Sequence, residues 1–426
     1  MNLMSKRINI TKGVNLNIIS MEESKSNLLS VYFTLPLDRE QVTKNALIPL
    51  VLKKGLRELN SNMAIHHSTE GILYPQLSVN IDKKGEKQII RFTIEGSKPN
   101  PIKDKNDILE MIDLLKSIIF NPYLKEGVFS SQHIEEGKEV LERLIKEKKR
   151  DLKYYSISRC IEEMYKNEKY SLFPLGYIED LDSIDNNTLY KQYLKILSQS
   201  SMEVFFVGEY KGYIEDYLKD AFNFEKGNIY EFEREYITGK IQTKNMIYED
   251  RNIAKSRLVI GYRTGIPYEN PLYNGLLITN QILGSGPNSK LLKGLKELKG
   301  IVNSIDSKVY KYKSFILIDS EIEFKNIEKV IKAIRNEIHR IRNGKFSQED
   351  INISKESIKQ SIESIKENNL LISEFFFDKV LTKDNRRYSQ ILDDIDKVTR
   401  DEIIKAANMF TLDTIYILRS FQASFK

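Results

Sequence analysis

Strand-like runs that end in a proline open both halves of this chain. Residues 28–36 and residues 258–267 are rich in leucine, β-branched and aromatic residues, and each run is followed by a segment that predicts a short helix. Two further strands follow in each half, joined by a polar turn. Their patterns cover residues 77–82 with 88–95, and residues 302–307 with 314–321. Each half therefore predicts a sheet.

Helical periodicity follows the strands in both halves. One segment per half carries apolar residues every three or four positions, which predicts an amphipathic helix. These stripes consist of Ile108, Met111, Ile112, Leu115 and Ile119 in the first half, and of Ile327, Val330, Ile331, Ile334, Ile338 and Ile341 in the second. A second helix is predicted after Phe129 and again after Phe346, because the serine that follows each is a good N-cap residue.

The order of these elements repeats along the chain. Phe346 follows Phe129 by 217 residues (346 − 129), and the acidic motif at Asp393 follows the one at Asp182 by 211 residues (393 − 182). Two motif pairs with nearly the same offset indicate an internal duplication. We predict an α+β fold of two similar domains, each a largely antiparallel sheet backed by helices. The predicted domains are residues 1–228 and 240–426.

Composition and charge indicate an ordinary globular protein. The 426 residues include 66 basic and 60 acidic side chains, which are interspersed and leave a net charge of +6. Nucleic-acid binders usually concentrate basic charge on one face, so this balance gives little support for such a partner. The N-terminal segment lacks the apolar core of a signal peptide, and no apolar run reaches the length of a membrane span. We expect a cytoplasmic protein that binds neither nucleic acid nor membranes.

Residues that could bind a metal are few. The single cysteine, Cys160, excludes an internal disulfide framework and a cysteine-rich zinc site, and we interpret it as an ordinary helix residue. His66, His67 and Glu70 form a cluster, but adjacent histidines on a helix point about 100° apart, so we interpret the cluster as a solvated helix. His133 is expected in the first turn of a charged helix.

An apolar stretch at residues 45–55 stands out because its interior carries no side chain that could act in catalysis. It ends in Lys53, Lys54 and Gly55, which predicts a short buried helix with a C-terminal stop. Catalysis by side chains requires a carboxylate, imidazole, thiol, hydroxyl or amine within reach of the substrate. Residues 46–52 provide none of these groups.

Two motifs carry a resemblance to a known family. They are residues 170–176, with the sequence YSLFPLG, and residues 282–291, with the sequence ILGSGPNSKL. The second lacks the spacing of a phosphate-binding loop and predicts a turn that caps a helix. With the duplicated order of elements, these motifs resemble the pitrilysin and insulinase family of zinc peptidases, which includes the core subunits of mitochondrial processing peptidase.

The resemblance implies that the catalytic motif has been lost. Active members carry His-x-x-Glu-His on the first helix, where two histidines bind zinc and the glutamate activates water. Aligned on Lys54 and Gly55, these positions are Ala46, Pro49 and Leu50, and the third ligand falls on Leu144. The resemblance therefore implies no bound metal and no cofactor.

The substrate-holding residues of the second half also differ. In active members an arginine and a tyrosine hold the substrate backbone, and the corresponding positions here are Lys296 and Asn303. Lysine keeps the charge but loses the planar fork of arginine. The pattern resembles the non-catalytic insulinase-like proteins that bacteria make beside an intact homologue.

The sequence therefore favours a non-catalytic homologue that binds a peptide or unfolded protein segment and helps to form a chamber. The expected partner is a second copy of the chain or a catalytic insulinase-like homologue, as a homodimer or heterodimer. Two alternatives stay open, namely a metallopeptidase with a displaced zinc site and a purely structural scaffold subunit.

Overall fold

A computed structural model describes residues 3–22, 24–56, 77–97, 104–237, 239, 241, 244–296 and 302–420. The strands in these ranges are β1 (Lys6–Thr11), β2 (Val14–Ser20), β3 (Ser26–Pro36), β4 (Ser78–Lys84), β5 (Lys87–Ser97), β6 (Ser201–Gly208), β7 (Asn245–Arg251), β8 (Ser256–Arg263), β9 (Val302–Tyr310), β10 (Phe315–Ile322) and β11 (Thr411–Ser420).

The helices lie between these strands along the chain. They are α1 (Val42–Lys54), α2 (Asp104–Phe120), α3 (Ser131–Arg150), α4 (Leu152–Met164), α5 (Asn186–Gln199), α6 (Gly212–Ala221), α7 (Tyr273–Asn280), α8 (Lys290–Lys296), α9 (Ile327–Arg342), α10 (Gln348–Glu363), α11 (Asn369–Thr382), α12 (Tyr388–Asp396) and α13 (Arg400–Asn408). Short 3-10 turns occur at Lys169–Ser171, Ile178–Ser183, Phe324–Asn326 and Ser364–Glu367, and a π-helical turn at Gln281–Ser285.

The strands form two mixed sheets. The first has the order β1-β2-β6-β3-β5-β4, and the second has the order β7-β11-β8-β10-β9. Each sheet contains one parallel pair, β2 with β6 in the first and β7 with β11 in the second, and its other pairs are antiparallel. The predicted α+β fold with two similar, largely antiparallel sheets is confirmed. Sequence reasoning did not assign β1, β2 or β7.

The predicted helix starts agree with the structure. The Ser130 hydroxyl accepts a hydrogen bond of 3.1 Å from the backbone N–H of His133 at the start of α3. Ser347 and Asp350 form a reciprocal capping box at the start of α10. The described residues of the two predicted apolar stripes are buried, on α2 and on α9.

The structure divides into two compact units. Unit 1 consists of Met1–Glu147, Leu172–Glu233 and Ile365–Tyr388, and unit 2 consists of Lys148–Ser171, Arg234–Ser364 and Ser389–Lys426. Helix α4 from the first half of the sequence therefore belongs to unit 2, and helix α11 from the second half belongs to unit 1. The boundaries 1–228 and 240–426 describe the duplicated sequence and stay a prediction, because the compact units are not continuous segments.

Buried contacts fix each exchanged helix to the sheet of its unit. On α11, the Phe377 ring stacks on Tyr32 of β3 at 4.1 Å between centroids, and the Ser373 hydroxyl lies 2.6 Å from the Tyr32 hydroxyl. On α4, Tyr155 donates a hydrogen bond of 2.5 Å to Glu249 of β7. Cys160 is fully buried on the same helix, and burial raises the pKa of its thiol, as expected for a structural cysteine.

No helix within the described ranges is both long enough and apolar enough to span a membrane.

Candidate functional site

Helix α1 carries Ala46, Pro49 and Leu50, the positions predicted to match the family's metal motif. It begins after β3, and the side chains from Val42 to Leu52 are buried except Lys44. Lys53 and Lys54 occupy the last turn, and the Gly55 backbone N–H donates to the Val51 carbonyl at 3.2 Å. The predicted buried helix with a lysine and glycine stop is therefore confirmed.

The three motif positions on α1 hold only hydrocarbon side chains. Ala46 is completely buried, and Leu50 is 8% exposed. Pro49 lies inside the helix and borders a small cavity whose lining includes Phe33 and Ile119. Zinc in a catalytic site takes three protein ligands from His, Cys, Asp or Glu, so these residues do not fit the metal. The described part of the chain contains no group of three such residues placed to hold an ion.

Helix α3 approaches α1 at Gly137. A Cβ atom added to Gly137 would lie 2.8 Å from Val51 Cγ2 and 3.2 Å from Leu47 Cδ1, so the two helices are in close contact there. Leu144 lies seven residues further along α3 (144 − 137), which is about 10 Å along the helix axis, and it is half-buried. Its assignment as the third-ligand position stays a prediction. Sequence reasoning did not identify Gly137 as a point of close approach.

Polar contacts at the C-terminal end of α1 are structural. Lys54 Nζ forms an ion pair of 3.1 Å with Glu136 of α3. His133, in the first turn of α3 as predicted, is 5% exposed, and its ring centroid lies 5.5 Å from that of Tyr123. The histidine therefore packs within the core of unit 1.

A buried amide network occupies the N-terminal part of α1. Asn45 Nδ2 donates to Gln88 Oε1 of β5 at 2.9 Å, and Gln192 Nε2 of α5 donates to Asn45 Oδ1 at 2.7 Å. Gln88 Nε2 also donates to the carbonyls of Val42 and Pro174. Sequence reasoning missed these residues, since each is a single amide in an element whose partner lies far away in sequence. The network positions α1 but provides no acid, base or nucleophile.

The family motif at residues 170–176 ends against the first turn of α1. Gly176 has φ of +75°, and a Cβ atom there would clash with Thr43. The Thr43 hydroxyl donates to Asp180 Oδ2 at 2.5 Å, and Arg39 binds the same carboxylate with two hydrogen bonds of 2.6 and 3.0 Å. Burial raises the pKa of Asp180, but the hydrogen bonds from Arg39 and Thr43 outweigh it and hold that pKa below its ordinary value.

An open pocket of about 270 Å³ lies beside the contacts of Arg39 and Thr43 with Asp180. Basic, acidic and hydroxyl side chains line it together, so their charges largely offset one another. The lining residues are Arg39, Glu40, Thr43, Lys44, Asp180, Ser183 and Ile184.

The two residues predicted to hold substrate in the second half lie on different elements. Asn303 is exposed on the edge strand β9, and its Nδ2 donates to Glu321 Oε1 of β10 at 2.7 Å. Lys296 is the last residue of α8, and its side chain lies outside the described part of the structure, as do His66, His67 and Glu70. The joint role of Lys296 and Asn303 stays a prediction.

The glycine turn at residues 284–289 leads into α8, as predicted. Ser289 Oγ accepts a hydrogen bond of 3.4 Å from the backbone N–H of Leu292, and Lys290 Nζ forms an ion pair of 2.5 Å with Asp350. The charge of Lys290 is therefore paired with a carboxylate within unit 2.

Strand β4 forms an edge of the first sheet beside α1. In the sheet as described, β4 pairs only with β5. Ser78, Asn80 and Asp82 are exposed, and Val79 and Ile81 are half-buried. An edge strand presents backbone N–H and C=O groups that can pair with another extended chain.

Comparisons with known proteins agree with these features. The family model described as "Peptidase M16 inactive domain" matches residues 183–358. The chain is 28% identical over 414 residues to the "Probable inactive metalloprotease YmfF" of Bacillus subtilis (strain 168), with 97% of each chain covered.

Solved structures share the fold over nearly the whole chain. A conserved protein from Enterococcus faecalis V583 has a TM-score of 0.85 at 23% identity, covering 98% of this chain and 99% of that one. A protease from Helicobacter pylori has a TM-score of 0.75 at 14% identity, covering 98% and 100%. The chain therefore has the fold of the pitrilysin and insulinase (M16) family of zinc peptidases, and it resembles the inactive members of that family.

Proposed function

We propose that this protein is a non-catalytic peptidase homologue that holds an extended peptide or unfolded protein segment and forms part of a chamber with a catalytic homologue. The observation that carries the proposal is the hydrocarbon core at the motif positions. Ala46, Pro49 and Leu50 supply neither a zinc ligand nor a base, and all three are buried. Hydrolysis of a peptide bond at this place would lack both an activated water and a group to move its proton.

The edge strand β4 supports peptide binding. Strand addition uses backbone hydrogen bonds, so it needs no catalytic side chain and survives the loss of the metal motif. The half-buried Val79 and Ile81 lie on one face of β4, and the exposed Asn80 lies on the other. An added peptide would therefore have an apolar and a polar side.

The number of units supports a partner. This chain supplies two sheet-and-helix units. Single-chain members of the resembled family use four, and shorter members form the chamber by pairing two chains. A catalytic homologue is the partner that gives a non-catalytic chain a function, because the partner would supply the metal site.

Co-expression tests the pairing. The chain should be produced with an M16 homologue from the same organism that keeps His-x-x-Glu-His, and the mixture analysed by size exclusion with light scattering. We expect a mass equal to one copy of each chain that persists at micromolar concentration, as for an interface of at least about 1,000 Å². Separate elution, with this chain monomeric at every concentration, contradicts the chamber proposal and favours a structural scaffold.

Proline substitutions test peptide capture at β4. Successive backbone N–H groups of an edge strand point to opposite sides, so one of Asn80→Pro and Ile81→Pro removes a bond to β5 and the other removes a donor from the open edge. We expect the second kind of variant to keep its stability and to lose binding of a fluorescent unfolded peptide. Equal binding by both variants and the unchanged chain would exclude this edge.

Elemental analysis separates the proposal from a displaced zinc site. We expect the purified protein to lack stoichiometric zinc and to leave unfolded peptides intact. About one zinc per chain with chelator-sensitive proteolysis would establish the alternative.

A further inference from the structure

The open pocket of about 270 Å³ beside Asp180 is a feature of unit 1 that the proposed function does not use. Its wall is formed by the turn before α1, the first turn of α1, and the end of the 3-10 turn Ile178–Ser183 with the adjoining Ile184. Pockets for drug-sized ligands measure about 300–1,000 Å³, so this pocket suits a smaller molecule.

One side of the pocket is closed by an ion pair. Arg39 binds the Asp180 carboxylate with two hydrogen bonds of 2.6 and 3.0 Å, and the Thr43 hydroxyl donates to the same carboxylate. The Arg39 guanidinium also lies 4.0 Å from the centroid of the Tyr177 ring. Arg39 and Asp180 therefore satisfy each other and form a fixed wall with no net charge.

The other two charged side chains of the lining are Glu40 and Lys44. Within the described ranges, neither side chain forms a hydrogen bond or an ion pair. Glu40 is exposed, and Lys44 is half-buried on the first turn of α1. The pocket therefore offers one open carboxylate and one open amine to a ligand.

The spacing of these two groups selects the ligand. The backbone N–H groups of Gln41 and Val42 both donate to the Asp38 carbonyl, at 3.3 and 2.9 Å, so the turn before α1 is helical in form. Residues four apart on a helix have Cβ atoms about 5–6 Å apart, which places Glu40 and Lys44 side by side. An α-amino acid carries its ammonium and carboxylate groups on one carbon, so it can meet both side chains at once.

We propose that this pocket binds a free α-amino acid with an aliphatic side chain. The ligand ammonium donates to the Glu40 carboxylate, and the ligand carboxylate accepts from Lys44 Nζ, so that both hydrogen bonds are charge-assisted. Ile184, which is 4% exposed, provides the apolar contact for the ligand side chain. The proposal is independent of the proposed pairing with a peptidase.

The balance of charge explains the preference for a zwitterion. A ligand with a single charge would pair with Glu40 or with Lys44 and leave the other side chain without a partner. Side-chain rotation can also bring Glu40 and Lys44 together, but ion pairs between such solvent-accessible side chains are weak. A ligand that offers both charges can therefore replace that pair.

Calorimetric titration of the intact full-length chain with L-leucine tests the proposal. We expect one site per chain with a Kd between about 10 µM and 1 mM. N-acetyl-leucine lacks the ammonium charge and leucinamide lacks the carboxylate, so each should bind at least about tenfold more weakly. The absence of saturable leucine binding overturns the proposal, as does equal binding of either analogue.

The dipeptide leucyl-leucine tests the spacing. Its two charged ends lie on different residues and are further apart than those of leucine, so we expect weaker binding. Binding as tight as that of leucine, or tighter, would show that the pocket takes peptides and would overturn the assignment to a free amino acid.

Two variants locate the site. Glu40→Gln and Lys44→Gln should each weaken leucine binding at least about tenfold, since each removes one charge-assisted hydrogen bond. The control is Lys53→Gln, an exposed lysine in the last turn of the same helix, which should bind leucine as the unchanged chain does. Circular dichroism checks that all three variants are folded. Unchanged affinity in both pocket variants, or an equal loss in the control, overturns the proposal.

Discussion

Helices α1 and α7 follow strands β3 and β8 in the two halves, and different sets of polar side chains anchor them. In the first half, the amides of Asn45, Gln88 and Gln192 hold α1. In the second half, the Thr279 hydroxyl of α7 lies 2.7 Å from the Gly275 carbonyl oxygen and 3.2 Å from that of Ile403, and the Ser307 hydroxyl of β9 donates to Asn280 Oδ1 at 2.7 Å. The side chains of α1 from Val42 to Leu52 are buried except Lys44, whereas three of the eight side chains of α7 are half-buried. Helix α1, on which the resemblance places the metal motif, is therefore at least as fully buried as its counterpart.

The helices that lie against α1 and α7 extend this comparison. Gly137 of α3 and Ser354 of α10 are separated by the same 217 residues as the two Phe-Ser motifs (354 − 137), and both are buried. Gly137 lets α3 touch Val51, whereas Ser354 borders a small space together with Gln281 and Ile282. Helices α1 and α3 are therefore in direct contact at Gly137, on the side of α1 that carries Leu47 and Val51.

The largest expected effect follows from restoring the motif. The triple variant Ala46→His, Pro49→Glu and Leu50→His places three polar groups in a packed helix, and each unpartnered group costs about 1 to 3 kcal/mol. We expect a loss of several kcal/mol in urea unfolding and no peptidase activity with added zinc. Activity in this variant would mean that the third ligand is still present, contrary to its assignment at Leu144.

Closing the contact between α3 and α1 should have the next largest effect. Gly137→Ala places a methyl group 2.8 Å from Val51 Cγ2. We expect a loss of about 1 to 3 kcal/mol in the free energy of unfolding, because the core must shift to accept it. The control is Gly212→Ala on α6, where no atom lies within 4 Å of the added Cβ. If the two variants are equally stable, α1 and α3 are less tightly packed than described.

Breaking the buried amide network should lower the free energy of unfolding by a smaller amount. Asn45→Ala leaves Gln88 Oε1 without its donor, while Gln88 Nε2 and Gln192 Nε2 keep other acceptors. We expect a loss of roughly 1 kcal/mol by urea unfolding. Thr279→Val on α7 is the matching change in the second half, and a much smaller loss there would show that the amides stabilise their helix more than the hydroxyl does.

The smallest effect concerns pH. The pKa values of Asp180 in the first half and Asp350 in the second are both lowered: burial raises them, but hydrogen bonds from Arg39 and Thr43, and from Lys290 and Ser347, outweigh it. A lowered folded-state pKa contributes stability that is present above the unfolded pKa near 3.9 and is lost as pH falls through the folded value.

Asp180→Asn and Asp350→Asn should therefore lose stability at pH 7, by about 0.2 to 1 kcal/mol each, and much less at pH 3. Urea unfolding at both pH values measures this. If a variant differs from the unchanged chain in free energy of unfolding by the same amount at pH 3 and pH 7, the carboxylate charge does not stabilise the contacts at that site.

Local physical rules explain how much of the fold was predictable. The lysine and glycine ending of α1, the serine caps at Ser130 and Ser347 and the apolar stripes of α2 and α9 depend on residues within a few turns of one another. Strands β1, β2 and β7 were not assigned, because their patterns are short and partly polar. Strands β2 and β7 pair with β6 and β11, whose sequences lie far away, and β1 pairs with β2.

The sequence by itself determined the duplication, the fold class and the absence of ligands at Ala46, Pro49 and Leu50, since each of these is a matter of residue type and order. Only the tertiary structure decided that α4 and α11 belong to the opposite units and that Gly137 is the residue of α3 that touches α1. The physical reason is that close approach and the exchange of helices depend on which distant segments meet, and no local pattern of residues specifies that.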